Sequence, residues 1–134
     1  MKLIDTTFLI DIVKGNQNTE PIVDMLDKEG IHATSSINAH EFLLRAHIIS
    51  SDKELEVRKK LLSKFIILDF DLKCAEIAAK IEGDLMKKGK PIGRAEIMIA
   101  SVMKSNGITE LVTRNIKHFE KIDGISILSY EKNT

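Results

Sequence analysis

At 134 residues the chain is long enough to bury a hydrophobic core without staples, and its 43% hydrophobic and 30% charged residues are those of an ordinary globule. Lys+Arg and Asp+Glu balance at 20 each, so there is no overall basic surplus to draw it to nucleic acid and only a local patch can do so. The single cysteine, Cys74, excludes an internal disulfide and favours a reducing compartment, and no stretch approaches the roughly 20 apolar residues of a membrane span.

In chain order, KLID is a short apolar run of strand type, closed by Asp5, and TTFLIDIVKG has helical spacing and stops at Gly15. This start is broken by Asp5 and Asp11, which makes it a poor signal peptide, and a cytoplasmic protein is expected. NTEPIVDMLDKEG predicts a helix with Thr19 as N-cap, Pro21 in its first turn and Gly30 past its end. IHATS alternates like a strand and leads into a helix from about Ile37 to Ile49. DKELEVRKKLLSKF predicts a helix with Leu55, Leu61 and Leu62 on its buried side, and FIIL a short buried strand. DLKCAEIAAKIEGDLMKKG is a long helix closed by Gly89, in which Cys74 reads as a small buried hydrophobe. RAEIMIASVMKSNG is a helix closed by Gly107, ELVT a strand, IKHFEKI a short helix and ISIL a last strand; the terminal EKNT is expected to fray.

Strands separated by helices imply parallel pairing through helical crossovers, hence an α/β domain with a central, mainly parallel sheet covered on both faces. With no internal repeat or linker in the sequence, residues 1–134 are expected to form a single domain.

Ligands of such sheets bind beyond the carboxyl ends of the strands. Four oxygen-bearing side chains fall there: Asp5 after the first strand, Glu41 in the second turn after IHATS, Glu96 in the first turn after Gly93, and Asn115 after ELVT. Each also has an ordinary explanation. Asp5 can cap the first helix, Glu41 can pair with Arg45 four residues on, Glu96 suits a helix N-terminus, and Asn115 can cap IKHF. Only their coincidence at one edge favours a site. Three converging carboxylates repel one another unless a cation sits among them, and oxygen donors suit a hard divalent ion. The absence of a cysteine and histidine cluster argues against zinc.

At these residues the chain resembles the PIN-domain family, and within it the VapC-type toxins of toxin–antitoxin pairs. The likeness spans almost the whole length and rests on LIDTTFLID, INAHEFLLRA and IGRAEIMIASVMKSNGITELVTRNIKHFEKIDGISIL, in that order. It implies a three-layer α/β/α PIN-like domain and a metal-dependent ribonuclease that hydrolyses RNA with Mg²⁺ or Mn²⁺. By resemblance Asp5, Glu41 and Glu96 are the metal ligands and, with Asn115, the catalytic set, while Thr6 and Thr113 are polar support. Glu96 stands where the family usually has aspartate, and its extra methylene moves the carboxylate outward by roughly 1.5 Å. The resemblance also implies a homodimer neutralised by a small antitoxin, with no membrane partner.

Arg45, Arg94, Arg114 and Lys117 lie close in sequence to the acidic set and are expected to hold RNA, whereas the runs RKK (58–60) and KKGK (87–90) read as solvated helix faces. Among the histidines, His118 reads as a surface residue. Two other readings stay open: a catalytically impaired PIN-like module that binds RNA or protein, motivated by Glu96 and Asn115, and a receiver-type signalling domain with Asp69 as phosphoacceptor.

Overall fold

The computed structural model describes residues 1–130; the EKNT segment expected to fray lies outside the described residues. Along the chain come β1 (Leu3–Ile4), α1 (Thr6–Val13), α2 (Glu20–Glu29), β2 (Ala33–Ser35), α3 (Ser36–Ile48), α4 (Asp52–Leu62), β3 (Ile66–Leu68), α5 (Leu72–Lys87), α6 (Arg94–Ser105), β4 (Glu110–Val112), α7 (Ile116–Phe119) and β5 (Ser126–Leu128). The strands form one five-stranded sheet in the order β3-β2-β1-β4-β5, and every pairing is parallel. The architecture is the three-layer α/β/α arrangement expected from the alternation of strands and helices.

Period-2 alternation along the central strands sorts the core between the two faces. Leu3 and Leu111 pack with Ile99, Ala100 and Met103 of α6 and Phe119 of α7 on one side. Ile4 and Val112 pack with Phe8 and Leu9 of α1, Leu26 of α2, Phe42 of α3 and Leu62 of α4 on the other. Helix α5 is held outside α6 through Ala78, Leu85 and Ile97. Cys74 is buried, as its apolar surroundings imply. After β1 the chain builds outward through β2 and β3, then returns across the sheet to place β4 on the other side of β1. This reversal opens a crevice at the carboxyl ends of β1 and β4, the place where such sheets bind ligands. Among the described residues no helix is long and apolar enough to cross a membrane.

Three local expectations are corrected. FIIL does not give a buried strand: β3 is an edge strand, and Ile66 and Ile67 are 42% and 40% exposed. Thr19 occupies the N-cap of α2 without capping it; its hydroxyl donates to the Asn16 carbonyl at 2.6 Å instead, closing the 3-10 turn Gln17–Thr19. Arg58 is not on a solvated face. It is 3% exposed, and of the residues expected to mark the buried side of α4 only Leu62 is fully buried, Leu55 and Leu61 being half-buried. Its guanidinium donates to the Phe42 carbonyl at 2.7 Å and to Glu54 at 2.9 Å, with Cζ 4.7 Å from the centre of the Phe42 ring. The aliphatic stem and the fork together make a buried basic residue tenable, because every charge it carries has a partner. Truncation in Arg58→Ala is expected to cost about 2–3 kcal/mol in urea unfolding, the penalty for losing packing and charged hydrogen bonds together. Arg58→Lys recovers only part of it, since a point ammonium cannot serve both oxygens in the same geometry.

Candidate active site

Asp5 is the first residue past β1. Its backbone N–H donates to the Val112 carbonyl at 2.9 Å, tying the ends of β1 and β4, and its own carbonyl accepts from Phe8 and Leu9 to start α1. The side chain sits at the N-cap position but makes no cap hydrogen bond. One carboxylate oxygen, Oδ2, accepts from the Thr113 hydroxyl at 2.6 Å and the Thr7 hydroxyl at 3.1 Å; the other, Oδ1, accepts from Asn38 Nδ2 at 3.0 Å. Capping does not account for Asp5: it makes no N-cap bond of the usual kind, and besides Thr6 and Thr7 at the start of α1 its oxygens are held by Thr113 and Asn38 from across the crevice. The residue is only 4% exposed. Burial pushes its carboxyl above the usual range, against the pull of hydrogen bonds from Thr113, the Thr6 backbone, Thr7 and Asn38.

Asn38 holds this arrangement and was not legible as part of it. It is fully buried, donates to the Thr6 hydroxyl at 3.0 Å as well as to Asp5, and accepts from the Ser35 hydroxyl at 2.6 Å. Ser35 in turn caps α3 through the Asn38 N–H at 3.1 Å. Thr7 is the second residue the sequence did not nominate; its hydroxyl lies 3.3 Å from that of Thr113 and accepts the Arg114 N–H at 3.1 Å. The available signal for Asn38 was its spacing, three residues before Glu41 on one face of α3. Thr6 and Thr113, expected as polar support, both lie in this network.

Glu41 projects from the second turn of α3 toward the same crevice and forms no ion pair with Arg45 among the described residues. Partial burial raises its carboxyl above the usual range, and the negative charges of Asp5 and Glu96 raise it further. Those two effects place the three carboxylates in one electrostatic neighbourhood. Glu96, in the first turn of α6, accepts from His118 Nδ1 at 3.1 Å across to α7. His118 is thus an exposed residue, as expected, but bonded to the candidate site. The Glu96 carboxylate also folds over Gly93: a Cβ at that position would lie 2.1 Å from Oε2. Asn115 occupies the N-cap of α7 without a side-chain cap bond, and its backbone N–H donates to the Thr113 hydroxyl at 3.0 Å. Its amide is left available to the crevice, and the capping explanation fails here too.

The basic residues are more dispersed. Arg94 turns away to α5, where Nε and Nη2 each donate to Glu82 at 3.0 Å. Arg114 stands 3.6 Å from Asp11, a buried carboxylate that also accepts from the Tyr130 hydroxyl at 2.5 Å. Burial and the Asp11 charge hold the Tyr130 phenol well above its ordinary pKa, so it stays a donor. Arg45 on α3 and Lys117 on α7 are exposed. Asp69 follows the edge strand β3 and is exposed; a phosphoacceptor after a central strand is not present there, and the receiver-type reading is discarded.

As the side chains stand, no three Asp, Glu, His or Cys residues among those described are gathered closely enough to hold a metal ion, and Glu96 is bonded to His118. The donor set is nonetheless all oxygen, with a rigid buried Asp5 at its centre and two carboxylates and an amide around it. That chemistry fits a hard divalent ion, provided Glu96 exchanges His118 for the ion.

The PIN-domain family model matches residues 2–125. The chain is 34% identical to the tRNA(fMet)-specific endonuclease VapC of Salmonella typhimurium over 94 residues, 69% of this chain and 70% of the relative. It is 33% identical to Ribonuclease VapC2 of Rickettsia felis over 113 residues, 82% of each. Among solved structures, VapBC2 from Rickettsia felis bound to a DNA fragment from the promoter superposes with a TM-score of 0.84 at 25% identity, covering 97% of this chain and 98% of that one. DNA-bound VapBC from Salmonella typhimurium also gives 0.84, at 27% identity, over 96% and 97% of the two chains. The chain belongs to the PIN-domain family and, within it, to the VapC group.

Proposed function

We propose that the protein is a ribonuclease of toxin type, an endonuclease that hydrolyses RNA phosphodiester bonds with Mg²⁺ or Mn²⁺. The observation that carries this reading is the buried Asp5 carboxylate, oriented by Thr113, Thr7 and Asn38 and facing Glu41 and Glu96 at the β1/β4 crevice. Asp5, Glu41 and Glu96 are the residues that would hold the ion, with Asn115 beside them. A divalent cation bound there supplies neutralisation of the phosphodiester charge and activation of water for attack on phosphorus. The protein's part is to fix Asp5 in one orientation, so that little reorganisation is needed at the moment of reaction. Arg45 and Lys117, both exposed, would be available to the RNA phosphates. The VapBC complexes among the solved structures support an antitoxin partner; a homodimer, a cytoplasmic setting and a single PIN-like domain over residues 1–134 belong to the same proposal.

The test is cleavage of a structured RNA by antitoxin-free protein in EDTA, Mg²⁺ or Mn²⁺. Metal-dependent cleavage is expected, and no cleavage under any condition by folded protein would overturn the reading. A second reading, a catalytically impaired module that binds RNA or protein, is favoured by one observation: Glu96 is bonded to His118, not gathered with Asp5 and Glu41. It predicts RNA binding without cleavage in the same assay.

Gly93 gives a finer test of Glu96. Its backbone, with φ −55, accepts alanine without strain, yet the added Cβ would displace the Glu96 carboxylate. Gly93→Ala is expected to leave unfolding within about 0.5 kcal/mol of the parent and to slow cleavage by roughly tenfold to a hundredfold. Because both changes act through one carboxylate, the Gly93→Ala/Glu96→Gln double variant should be no slower than Glu96→Gln alone.

A further inference from the structure

Toward the C-terminal end of α6, whose first turn carries Glu96, a cleft of about 200 Å³ runs between α5, the end of α6 and the α7–β5 connection. Four lysines line it, Lys88, Lys90, Lys104 and Lys121, against two aspartates, Asp84 and Asp123. A chain whose formal charge is zero thus gathers a local positive excess in one concave place, where field lines focus. We propose that this cleft holds the phosphate backbone of RNA beside the carboxylate site; the inference rests on the ribonuclease reading and extends the substrate surface beyond it.

Three observations carry it. Lys88, Lys90 and Lys121 take part in none of the ion pairs among the described residues, whereas two of the arginines nearest the crevice are already committed, Arg94 to Glu82 and Arg114 to Asp11. Lys104 is fixed in the cleft by donation from Nζ to the Asp123 carbonyl at 2.5 Å, so its charge is positioned without being neutralised. The cleft is also aligned with the site. Glu96 and Lys104 lie on the same helix, and eight residues at 1.5 Å rise separate them by about 12 Å along its axis. Past the end of α7 the chain also runs from His118, which contacts Glu96, to Lys121 in the cleft.

A lysine near a helix C-terminus has an ordinary role in offsetting the helix dipole. That accounts for Lys88, which caps α5, and Lys104 in the last turn of α6. It does not account for Lys90, which lies past the turn closed by its own N–H on the Leu85 carbonyl, or for Lys121 beyond the four-residue α7. Lysines suit the task, being point charges that grip a flexible backbone without demanding bidentate geometry.

The experiment measures anisotropy of a labelled single-stranded oligoribonucleotide with the full chain in EDTA, over a series of salt concentrations. The Lys88→Gln/Lys121→Gln variant is expected to weaken binding and to flatten the slope of log affinity against log salt by roughly 0.7 per lysine removed. Asp84→Asn is expected to tighten binding, an opposite sign that damage to the fold cannot produce. Lys59→Gln/Lys60→Gln, on the exposed side of α4, is the control and should leave the slope unchanged. An unchanged slope in Lys88→Gln/Lys121→Gln overturns the proposal. Loss of inorganic phosphate binding with RNA affinity intact would make the cleft a small-anion site, and loss of binding to a glutamate-rich peptide alone would make it a protein-docking surface; either overturns it. Because binding is read without cleavage, a protein that binds RNA through these lysines but never cuts it would sink the ribonuclease reading and leave the cleft standing.

Discussion

Asp5→Asn is expected to abolish metal-dependent RNA cleavage while leaving the fold at least as stable as the parent. The substitution keeps the volume of the side chain and its hydrogen-bonding capacity. Asparagine can place its oxygen toward Asn38 Nδ2 and its NH₂ toward the Thr113 and Thr7 hydroxyls, which lie 3.3 Å apart and can turn to accept. What disappears is the charge. Removal of one preorganised charge-stabilising group typically costs about 10²–10³ in kcat, and Asp5, at the centre of the set, is expected at or beyond the upper end.

The stability half of this prediction has a definite sign. Burial raises the Asp5 carboxyl, and burial together with the neighbouring carboxylates raises Glu41. Without a cation, the folded chain therefore retains these protons to higher pH than the unfolded chain does. The contribution to stability is fully present below the ordinary carboxyl range and is lost as pH rises through the raised folded values. Unfolding of the metal-free protein followed from pH 4 upward should show this decline. Asp5→Asn should flatten it, and added Mn²⁺ should flatten it in the parent by binding the ionised form. Glu29, Asp71 and Glu82, held below the usual range by Lys2, the Cys74 N–H and Arg94, act with the opposite sign, so the test is the difference between parent and Asp5→Asn: a difference that does not change with pH would contradict the assignment of a raised Asp5.

Asn38→Ala is expected to be the most destabilising change at the site, by about 3–4 kcal/mol. It removes the donor to Asp5 Oδ1 and Thr6 Oγ1 and the acceptor for Ser35 Oγ, all buried, and opens a small cavity beneath the crevice. One unsatisfied buried group costs about 1–3 kcal/mol, and three in one network do not add in full. Chemical denaturation measures the loss directly. Cleavage should fall as well, because Asp5 loses the contact that orients it. Asn38→Asp separates orientation from charge: it is nearly isosteric, but sets a second carboxylate about 3 Å from the first. Its instability should shrink at low pH or with a divalent cation, whereas that of Asn38→Ala should not.

How much of this was legible in the sequence follows from which forces act locally. The order of strands and helices and the glycine stops at Gly89 and Gly107 arise within a few residues of chain, and they could be read. So could the positions of Asp5, Glu41, Glu96 and Asn115 near strand-to-helix junctions, since an α/β sheet sends those junctions to one edge. Position within the sheet could not be read. FIIL has the composition of a central strand, yet β3 is at the edge, and composition does not distinguish them. Partners distant along the chain were equally hidden. Asp5 meets Thr113 across 108 residues, Asn38 meets Asp5 across 33, and Arg58 finds the Phe42 carbonyl across 16. The same applies to charge. Arg94 is four residues from Lys90 in sequence, but an acidic residue on the adjacent α5 captures the first while the second is unpaired in the cleft. Glu96 shows the limit most clearly: its helix position was readable, but its bond to His118 needs α6 and α7 placed side by side.

The most direct measurement is a calorimetric titration of metal-free protein with Mn²⁺ at neutral pH, for the parent, Asp5→Asn and Glu96→Gln. Saturable uptake by the parent, lost in Asp5→Asn and weakened in Glu96→Gln, is expected if the carboxylates at the β1/β4 crevice form one divalent-ion site. Uptake by Asp5→Asn equal to that of the parent, or none by the parent at millimolar Mn²⁺, would contradict it.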